Sequence, residues 1–369
     1  MLEMEDASTP ERALIEIAKA RRAPINGSLE LLPLCNMRCD MCYVRLSRAE
    51  MERLGRLRTA EEWLSLAEQM RRAGVLFLLL TGGEPLLYPG FKTLFAALRS
   101  MGFVLTINTN ATLIDEGWAD FLAQHRPRRV NVTLYGADEA DYARLCHFPG
   151  GFARALRGIR LLRARGIDVK LSFSVTRANL PHMERVFALG GELDVPVHID
   201  PYMMPAVRER SLPFDSQSRV SPEEAARAAL RALRLQLPED FFRQYVCQSL
   251  ERVRDPAFPR GDGHVSCLAG NCSFTVNWQG EMRPCVVLSS PSVPVFDTGF
   301  DAAWQTICEQ TRAIRIHPQC TQCSLRPLCK ICAAAALLET GAFDGIPPYL
   351  CRYAEETLRL LLEEEKLHG

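Results

Sequence analysis

Cys35, Cys39 and Cys42 lie in the stretch LCNMRCDMCY with the spacing CxxxCxxC. Thiolates are soft ligands, and three of them on one short loop can hold three corners of a cubane iron–sulfur cluster. A cluster that only carries electrons normally has four cysteine ligands, so a loop with three leaves one iron with an open position. An open position on a metal can take a substrate or cofactor, as at catalytic rather than structural zinc sites. The competing reading is a structural zinc loop that borrows a distant fourth ligand, although zinc spacing usually follows CxxC or CxxxxC pairs. A second stretch, Thr81-Gly82-Gly83-Glu84-Pro85, follows the apolar run Val75–Leu80. Paired glycines let backbone approach a ligand closely, and Glu84 offers a carboxylate acceptor to an ammonium group.

These residues need elements that bring them to one face. Thr9 as N-cap and Pro10 in the first turn open a short helix over Glu11–Arg22. Leu29–Leu32 is an apolar strand leading into the cysteine loop, and Thr59-Ala60-Glu61-Glu62 has the form of a capping box that opens a helix to about Ala73. Val75–Leu80 reads as a strand buried on both faces. Strands are predicted at Val104–Asn108, Arg129–Leu134, Val169–Val175 and Val197–Pro201, separated by helices at Pro89–Ser100, Ile114–Ala123, Gly151–Arg165 and Pro181–Leu189. Alternation of this kind implies an α/β fold with parallel strands and right-handed crossovers. A closed eight-stranded barrel would need two more units, so the pattern fits an open, partial (β/α)6 barrel over 28–205, preceded by an N-terminal helix in 1–27. In such sheets sites form at the C-terminal strand ends, where both the cysteine loop and the Gly-Gly-Glu-Pro turn fall.

Beyond the barrel, 206–265 reads as a linker with a helix: 206–220 is polar with Pro213, and Ser221-Pro222-Glu223-Glu224 starts a helix to about Leu237. Cys267 and Cys272 then precede a strand, Phe274–Trp278, and a turn at Gln279-Gly280 precedes a second strand reaching Cys285, which together make a hairpin with thiols at its ends. Cys320, Cys323, Cys329 and Cys332 follow as CxxCxxxxxCxxC, and Cys351 comes last. These eight cysteines suffice for two complete sets of four, as iron–sulfur clusters or as zinc sites. The cysteine-rich domain spans 266–355, with a C-terminal helix in 356–369. Cys146, Cys247 and Cys308 are left as small apolar residues.

Composition narrows the partners. Lys plus Arg and Asp plus Glu each number 44, so the formal charge is zero and no field gathers a polyanion; nucleic acid is disfavoured. The chain has 369 residues, no run of eighteen apolar residues and no signal-peptide pattern, which points to a cytoplasmic location without membrane association. In that compartment fourteen cysteines argue for metal binding rather than disulfides.

With the triad followed by Gly82-Gly83-Glu84-Pro85, the sequence resembles the radical SAM superfamily, and the C-terminal cysteines resemble the SPASM domain appended to many of its members. The resemblance covers about 28–353. It implies a partial (β/α)6 radical SAM barrel with a small C-terminal iron–sulfur domain. It further implies S-adenosylmethionine as cofactor, with its amino group at the Gly82–Pro85 motif. Asn110, Thr133 and Arg157 would contact its ribose or carboxylate, and Ile199 the adenine, with Met41 where the family often has an aromatic. Three [4Fe–4S] clusters are implied: one on Cys35, Cys39 and Cys42, an auxiliary one on Cys267, Cys272, Cys285 and Cys332, and another on Cys320, Cys323, Cys329 and Cys351. Two residues rather than the usual three separate Cys329 from Cys332.

The implied activity is reductive cleavage of S-adenosylmethionine to a 5′-deoxyadenosyl radical, which abstracts hydrogen from a peptide or protein to crosslink, oxidise or epimerise it. A flavodoxin or ferredoxin would donate electrons. Only about 27 residues precede the first strand, against roughly 80–90 for a leader-recognition domain, so a leader is expected to be held by a separate protein or the barrel rim. Cys146, beside His147 in the loop after strand four, could act catalytically by returning a hydrogen atom to a carbon radical. Alternatives are a tetrapyrrole-modifying radical SAM enzyme, a non-catalytic iron–sulfur or zinc module, and a sulfatase-maturating enzyme. The last is weakened because Val286, not an acid, follows Cys285. Anaerobic reconstitution should therefore give about twelve irons per chain, four per cubane. Alanine at Cys35, Cys39 and Cys42 together should remove about four; iron-free, zinc-loaded protein would exclude this reading.

Overall fold

The computed structural model describes residues 8–204, 218–259, 261–329 and 331–368. Helix α1 (Thr9–Arg21) has its N-cap one residue earlier than the sequence suggests. Ser8 is its N-cap, and the Ser8 N–H is held by the Glu11 carboxylate at 2.7 Å. After it come β1 (Asn26–Glu30), α2 (Arg48–Leu54), α3 (Ala60–Arg72), β2 (Phe77–Thr81), α4 (Phe91–Ser100), β3 (Val104–Thr109), α5 (Glu116–Gln124) and β4 (Arg129–Thr133). The order continues with α6 (Glu139–Leu145), α7 (Gly151–Ala164), β5 (Val169–Ser174), α8 (Met183–Glu192) and β6 (Val197–Asp200). The expected capping box opens α3: Thr59 Oγ1 accepts the Glu62 N–H at 3.2 Å, and the Thr59 N–H donates back to the Glu62 carboxylate at 2.7 Å.

The C-terminal part contains α9 (Pro222–Gln236), α10 (Glu239–Arg254), β7 (Ser273–Val276), β8 (Glu281–Arg283), β9 (Val293–Pro294), α11 (Val295–Thr298), α12 (Phe300–Ala313), α13 (Pro318–Gln322), α14 (Ala333–Thr340) and α15 (Pro348–His368). Helix α15 starts well before the expected 356, so Cys351 lies on it. The linker expected over 206–220 falls mostly outside the described residues. Among the described residues no helix is long and apolar enough to cross a membrane.

Strands β1 to β6 are parallel and adjacent in sequence order, as expected of a partial barrel, and the sheet runs β6-β5-β4-β3-β2-β1-β7-β8-β9 without closing. The predicted hairpin is present as antiparallel β7 and β8. Its first strand does not stand apart from the barrel: it pairs in parallel with β1, with Asn26 opposite Ser273 and Leu29 opposite Val276. Gly27 makes this join possible, since a Cβ there would lie 2.5 Å from the Phe274 ring. Phe274 in turn packs edge-on against Phe300 and Trp304 of α12, with centroids 5.1 and 6.0 Å away.

Strand residues alternate between faces. On one face Leu29, Leu80, Ile107, Val132 and Leu171 are buried against Trp63 and Leu66 of α3 and Phe91, Leu94 and Phe95 of α4. On the other face the pairing register lines up Asn108, Asn131 and Lys170 at one level, and Thr133, Ser172 and His198 at the next. The Asn131 amide donates to Asn108 Oδ1 at 2.8 Å, which ties neighbouring strands across this polar face. Phe77 belongs to the same face nearer the strand starts, where it packs with Ile15 and Ala18 of α1, Ile25 and Cys272.

The turn after β2 docks against the chain that leaves β1. The Gly83 N–H donates to Leu32 O at 2.8 Å and the Glu84 N–H to Leu34 O at 2.9 Å. A Cβ on Gly82 would lie 2.4 Å from Leu32 O, and one on Gly83 2.2 Å from Leu34 O. The paired glycines thus admit protein backbone, the segment entering the cysteine loop, where the sequence reading placed a ligand. Gly158 of α7 plays the same part against Ala111 O, 2.3 Å from where its Cβ would be. Gly83→Ala should therefore lower stability by roughly 1–3 kcal/mol, the usual cost of overpacking. Urea denaturation should show that loss, and Gly74→Ala, at a positive-φ turn with nothing within 4 Å, should not reduce metal retention as Gly83→Ala does.

Candidate functional site

The cysteine loop is held at several points by backbone. The Leu46 N–H donates to Pro33 O at 3.0 Å and closes the loop on itself. On its other side the Arg38 N–H donates to Cys146 O at 3.0 Å and the Asp40 N–H to Leu145 O at 3.1 Å, so the C-terminal end of α6 clamps the middle of the triad. His147 Nε2 lies 2.6 Å from Asp40 Oδ1. Cys35 and Cys42 are half-buried and Cys39 is buried. Burial pushes the Cys35 thiol up to about 12, with Glu84, Cys42 and Cys39 adding to it. The Cys39 thiol is also raised, by its hydrogen bond with Cys146 and then by burial. Such thiols ionise on meeting a metal cation, which takes them as thiolates.

Three thiols on one loop suit an iron–sulfur cluster in donor chemistry and spacing, and their charges already act on one another at Cys35. They are not yet gathered at one point: among the described residues no three His, Cys, Asp or Glu side chains form a metal-binding group.

Glu84 is completely buried. Its Oε1 accepts from Thr109 Oγ1 at 2.8 Å and from the Leu86 N–H at 3.1 Å, and its Oε2 accepts from the Asn110 N–H at 2.8 Å. With no exposed surface and three protein donors, this carboxylate joins the turn after β2 to the end of β3. Pro85, buried, starts the short 3-10 turn Pro85–Leu87. Asn110 is likewise turned inward, with its Nδ2 2.9 Å from Asn36 Oδ1 and 3.8 Å from Cys35 Sγ.

The other expected site residues divide. Met41 is buried in the core beside the loop, and Thr133 is half-buried on the polar face of the sheet. Ile199 pairs with Phe173 and so shares the helix-covered face, away from Thr133, Ser172 and His198; a role against adenine does not fit that orientation. Arg157 is exposed on α7. Cys146 is fully buried against Cys39, so a substrate carbon has no route to its sulfur and the hydrogen-return role is not supported. Sequence reading passed over Asn36, Thr109, Thr112 and Tyr135. The Tyr135 phenol is held well above its ordinary range by burial and then by its neighbours Cys39, Cys42, Cys146 and Cys35. The signal available was position: Asn36 stands within the triad, Thr109 ends β3, and Thr112 and Tyr135 lie just past strand ends.

The C-terminal thiols fall into two neighbourhoods. Burial pushes Cys329 up to about 12, and the charges of Cys351, Cys320 and Cys323 act on it. Cys320 feels Cys351 and Cys323. Burial likewise pushes Cys285 up to about 11, with Cys332 and Cys267 adding. Cys272, pushed up to about 12 by burial, feels Cys267 and also Cys308, a thiol left aside on sequence grounds.

Burial raises the Glu84 carboxyl to about 7 despite its three donors, against 4.5 for an ordinary glutamate. The folded protein therefore holds this proton more tightly than the unfolded chain. Its contribution to stability is complete below about pH 4.5 and is lost as pH rises through about 7. Glu84→Gln carries no titrating group there. Between pH 5 and 8 the wild type should lose stability relative to Glu84→Gln, by up to about 3 kcal/mol at 1.36 kcal/mol per pH unit. Parallel urea curves for the two proteins across that range would contradict the assignment.

Comparison with known proteins places this geometry. The model of the radical SAM superfamily matches residues 29–184, a span that includes the triad, Glu84 and Asn110. An AdoMet-dependent heme synthase of Methanosarcina barkeri is 25% identical over 348 residues, covering 90% of this chain and 97% of that protein. A PqqA peptide cyclase of Gluconobacter oxydans is 29% identical over 170 residues, 46% of this chain and 47% of the cyclase. Among solved structures, native anSMEcpe with bound AdoMet superposes with a TM-score of 0.70 at 19% identity, over 94% of this chain and 100% of its own. Streptococcus suis SuiB bound to S-adenosylmethionine gives 0.64 at 15% identity, over 95% and 81%. These two likenesses concern the fold. The partial barrel, the three-cysteine loop at the exit of β1 and the matched segment that contains it agree: residues 29–184 match the radical SAM superfamily, and the chain is an enzyme.

Proposed function

We propose that this enzyme uses S-adenosylmethionine to generate a radical that abstracts hydrogen from a peptide or protein substrate. The observation that carries the reading is the position of the cysteine loop, at the C-terminal end of β1 and facing a strand-end region with the polar sheet face below it. A [4Fe–4S] cluster, when bound, supplies the open iron that takes S-adenosylmethionine and the electron that cleaves it to methionine and a 5′-deoxyadenosyl radical. Cys35, Cys39 and Cys42 hold that cluster in this reading, and Glu84 keeps the neighbouring turns in register with the loop. Thr133, Ser172 and His198 offer hydrogen-bonding groups to the polar parts of a bound cofactor or substrate, and Met41 adds apolar surface.

Two further [4Fe–4S] clusters belong to the proposal, one held by Cys267, Cys272, Cys285 and Cys332 and one by Cys320, Cys323, Cys329 and Cys351. The electrostatic neighbourhoods of these thiols support that division. All fourteen cysteines are free thiols, in keeping with a reducing, cytoplasmic setting and a small electron carrier such as flavodoxin or ferredoxin as donor. A separate leader-binding protein remains part of the peptide reading.

A second reading has its own support. The curated heme synthases align over 86–97% of their length, whereas the peptide cyclase of Gluconobacter oxydans aligns over 47%. A tetrapyrrole substrate is therefore the competing assignment. Anaerobically reconstituted enzyme, given S-adenosylmethionine and a reductant, should form 5′-deoxyadenosine, and the triple alanine variant of the triad should not. Formation at an equal rate in both would overturn the proposal. Adding candidate peptides and, separately, an iron porphyrin decides the substrate. A mass change in peptide supports the first reading, and one in the porphyrin alone replaces it with the second.

A further inference from the structure

We infer that the side-chain amide of Asn110 is a positioning residue for the cluster, set to donate a hydrogen bond to the Cys35 sulfur and thereby to make the cluster easier to reduce. The inference rests on the proposal that the triad holds an iron–sulfur cluster.

Cys35 Sγ has two N–H groups directed at it, the backbone N–H of Met37 at 3.4 Å and Asn110 Nδ2 at 3.8 Å. What distinguishes the second is how firmly the amide is oriented. Asn110 Oδ1 accepts from the Thr112 N–H at 3.0 Å and from Thr112 Oγ1 at 2.7 Å. A backbone N–H only donates, so the amide oxygen must face Thr112 and the amide nitrogen must face the cysteine loop. Asn36 completes the ring: its Oδ1 accepts from Asn110 Nδ2 at 2.9 Å, and its Nδ2 donates to Thr112 Oγ1 at 2.8 Å. The Asn110 backbone is fixed as well, through its N–H on Glu84. Asn110 and Thr112 are each only 8% exposed, so water does not compete strongly for these groups.

As a metal ligand Cys35 is a thiolate, which only accepts hydrogen bonds. An electron added to a cluster increases the negative charge on its sulfur ligands. A donor fixed beside one of them stabilises the reduced state more than the oxidised state, and hydrogen bonds to sulfur are among the factors that set cluster potentials. Asn36, inside the triad, and Thr112, beyond β3, thus act through Asn110 on the readiness of the cluster to take its electron.

The test is the midpoint potential of the S-adenosylmethionine-responsive cluster in the full-length, reconstituted protein, followed by electron paramagnetic resonance in an anaerobic redox titration. Asn110→Leu and Asn110→Ala, which remove the amide donor, should keep their iron and shift the midpoint to more negative potential. The ratio of reduced to oxidised cluster at a fixed potential should fall roughly three- to tenfold, or about 30–60 mV at 59 mV per tenfold. Thr112→Ser, which keeps the hydroxyl, should stay at the wild-type value. If Asn110→Leu loses its iron, Asn110→Ala decides, because the smaller side chain leaves the Asn110 N–H on Glu84 in place. Iron retained with an unchanged midpoint in either Asn110 variant overturns the inference alone. Wild-type protein that takes up no iron on the triad overturns the inference together with the reading beneath it.

Discussion

A single buried carboxylate joins the parts of the site. Glu84 has no exposed surface, yet it carries three hydrogen bonds, two from the end of β3 and one from a short turn, while its own N–H reaches the segment entering the cysteine loop. Burying a charge is costly unless its lone pairs are satisfied. Here the satisfaction is nearly complete, and the remaining cost appears as a carboxyl titrating near 7. Because the donors come from Thr109, Asn110 and Leu86, the bonds form only when β2 and β3 end in their native places. The carboxylate thus couples the position of the strand ends to that of the loop, which Gly82 and Gly83 approach too closely for any side chain.

The opposite side of the loop is held by α6. Its last carbonyls accept from Arg38 and Asp40, and the helix is itself anchored by Asp141. That buried carboxylate meets His182 Nδ1 and an Arg144 nitrogen, each at 2.8 Å, and the Ala137 N–H at 3.1 Å. Two buried acids, one on each side, therefore brace a loop that has little regular structure of its own. A short loop left to itself would lose much conformational entropy on binding a metal. Bracing lowers that cost before any ligand arrives, and it explains why so many polar contacts concentrate around residues 33–46.

The C-terminal cysteines are tied to the same sheet. Strand β7 pairs with β1, the strand that delivers the triad, and Cys272 sits just before it among the residues that pack on α1. The two cysteine-bearing regions thus stand at opposite ends of neighbouring parallel strands, and a continuous set of backbone hydrogen bonds connects them. Farther out, Arg219 and Glu339 form a buried ion pair at 3.0 Å, with the guanidinium over the Tyr349 ring, joining the segment before α9 to α14 and α15.

The sequence by itself determined the chemistry at the triad, because ligand type and spacing along a loop are local properties. It also determined the parallel order of β1 to β6, since apolar runs alternating with amphipathic helices leave few other arrangements. Turn residues of special geometry were legible as well, though what they approach was not: Gly82 and Gly83 look the same whether the neighbour is a ligand or Leu34. Tertiary structure decided everything that depends on direction or on distant partners. The side that Ile199 faces follows from a pairing register in which one residue inverts the side chain. The addition of β7 to β1 rests on Phe274 filling the space over Gly27, a match between residues far apart in the chain. Asn110, Glu84 and Cys146 could be named from sequence as polar or reactive groups near the loop. Only packing turned them toward Cys35, Thr109 and Cys39, because a buried polar group points wherever the folded chain supplies its partner.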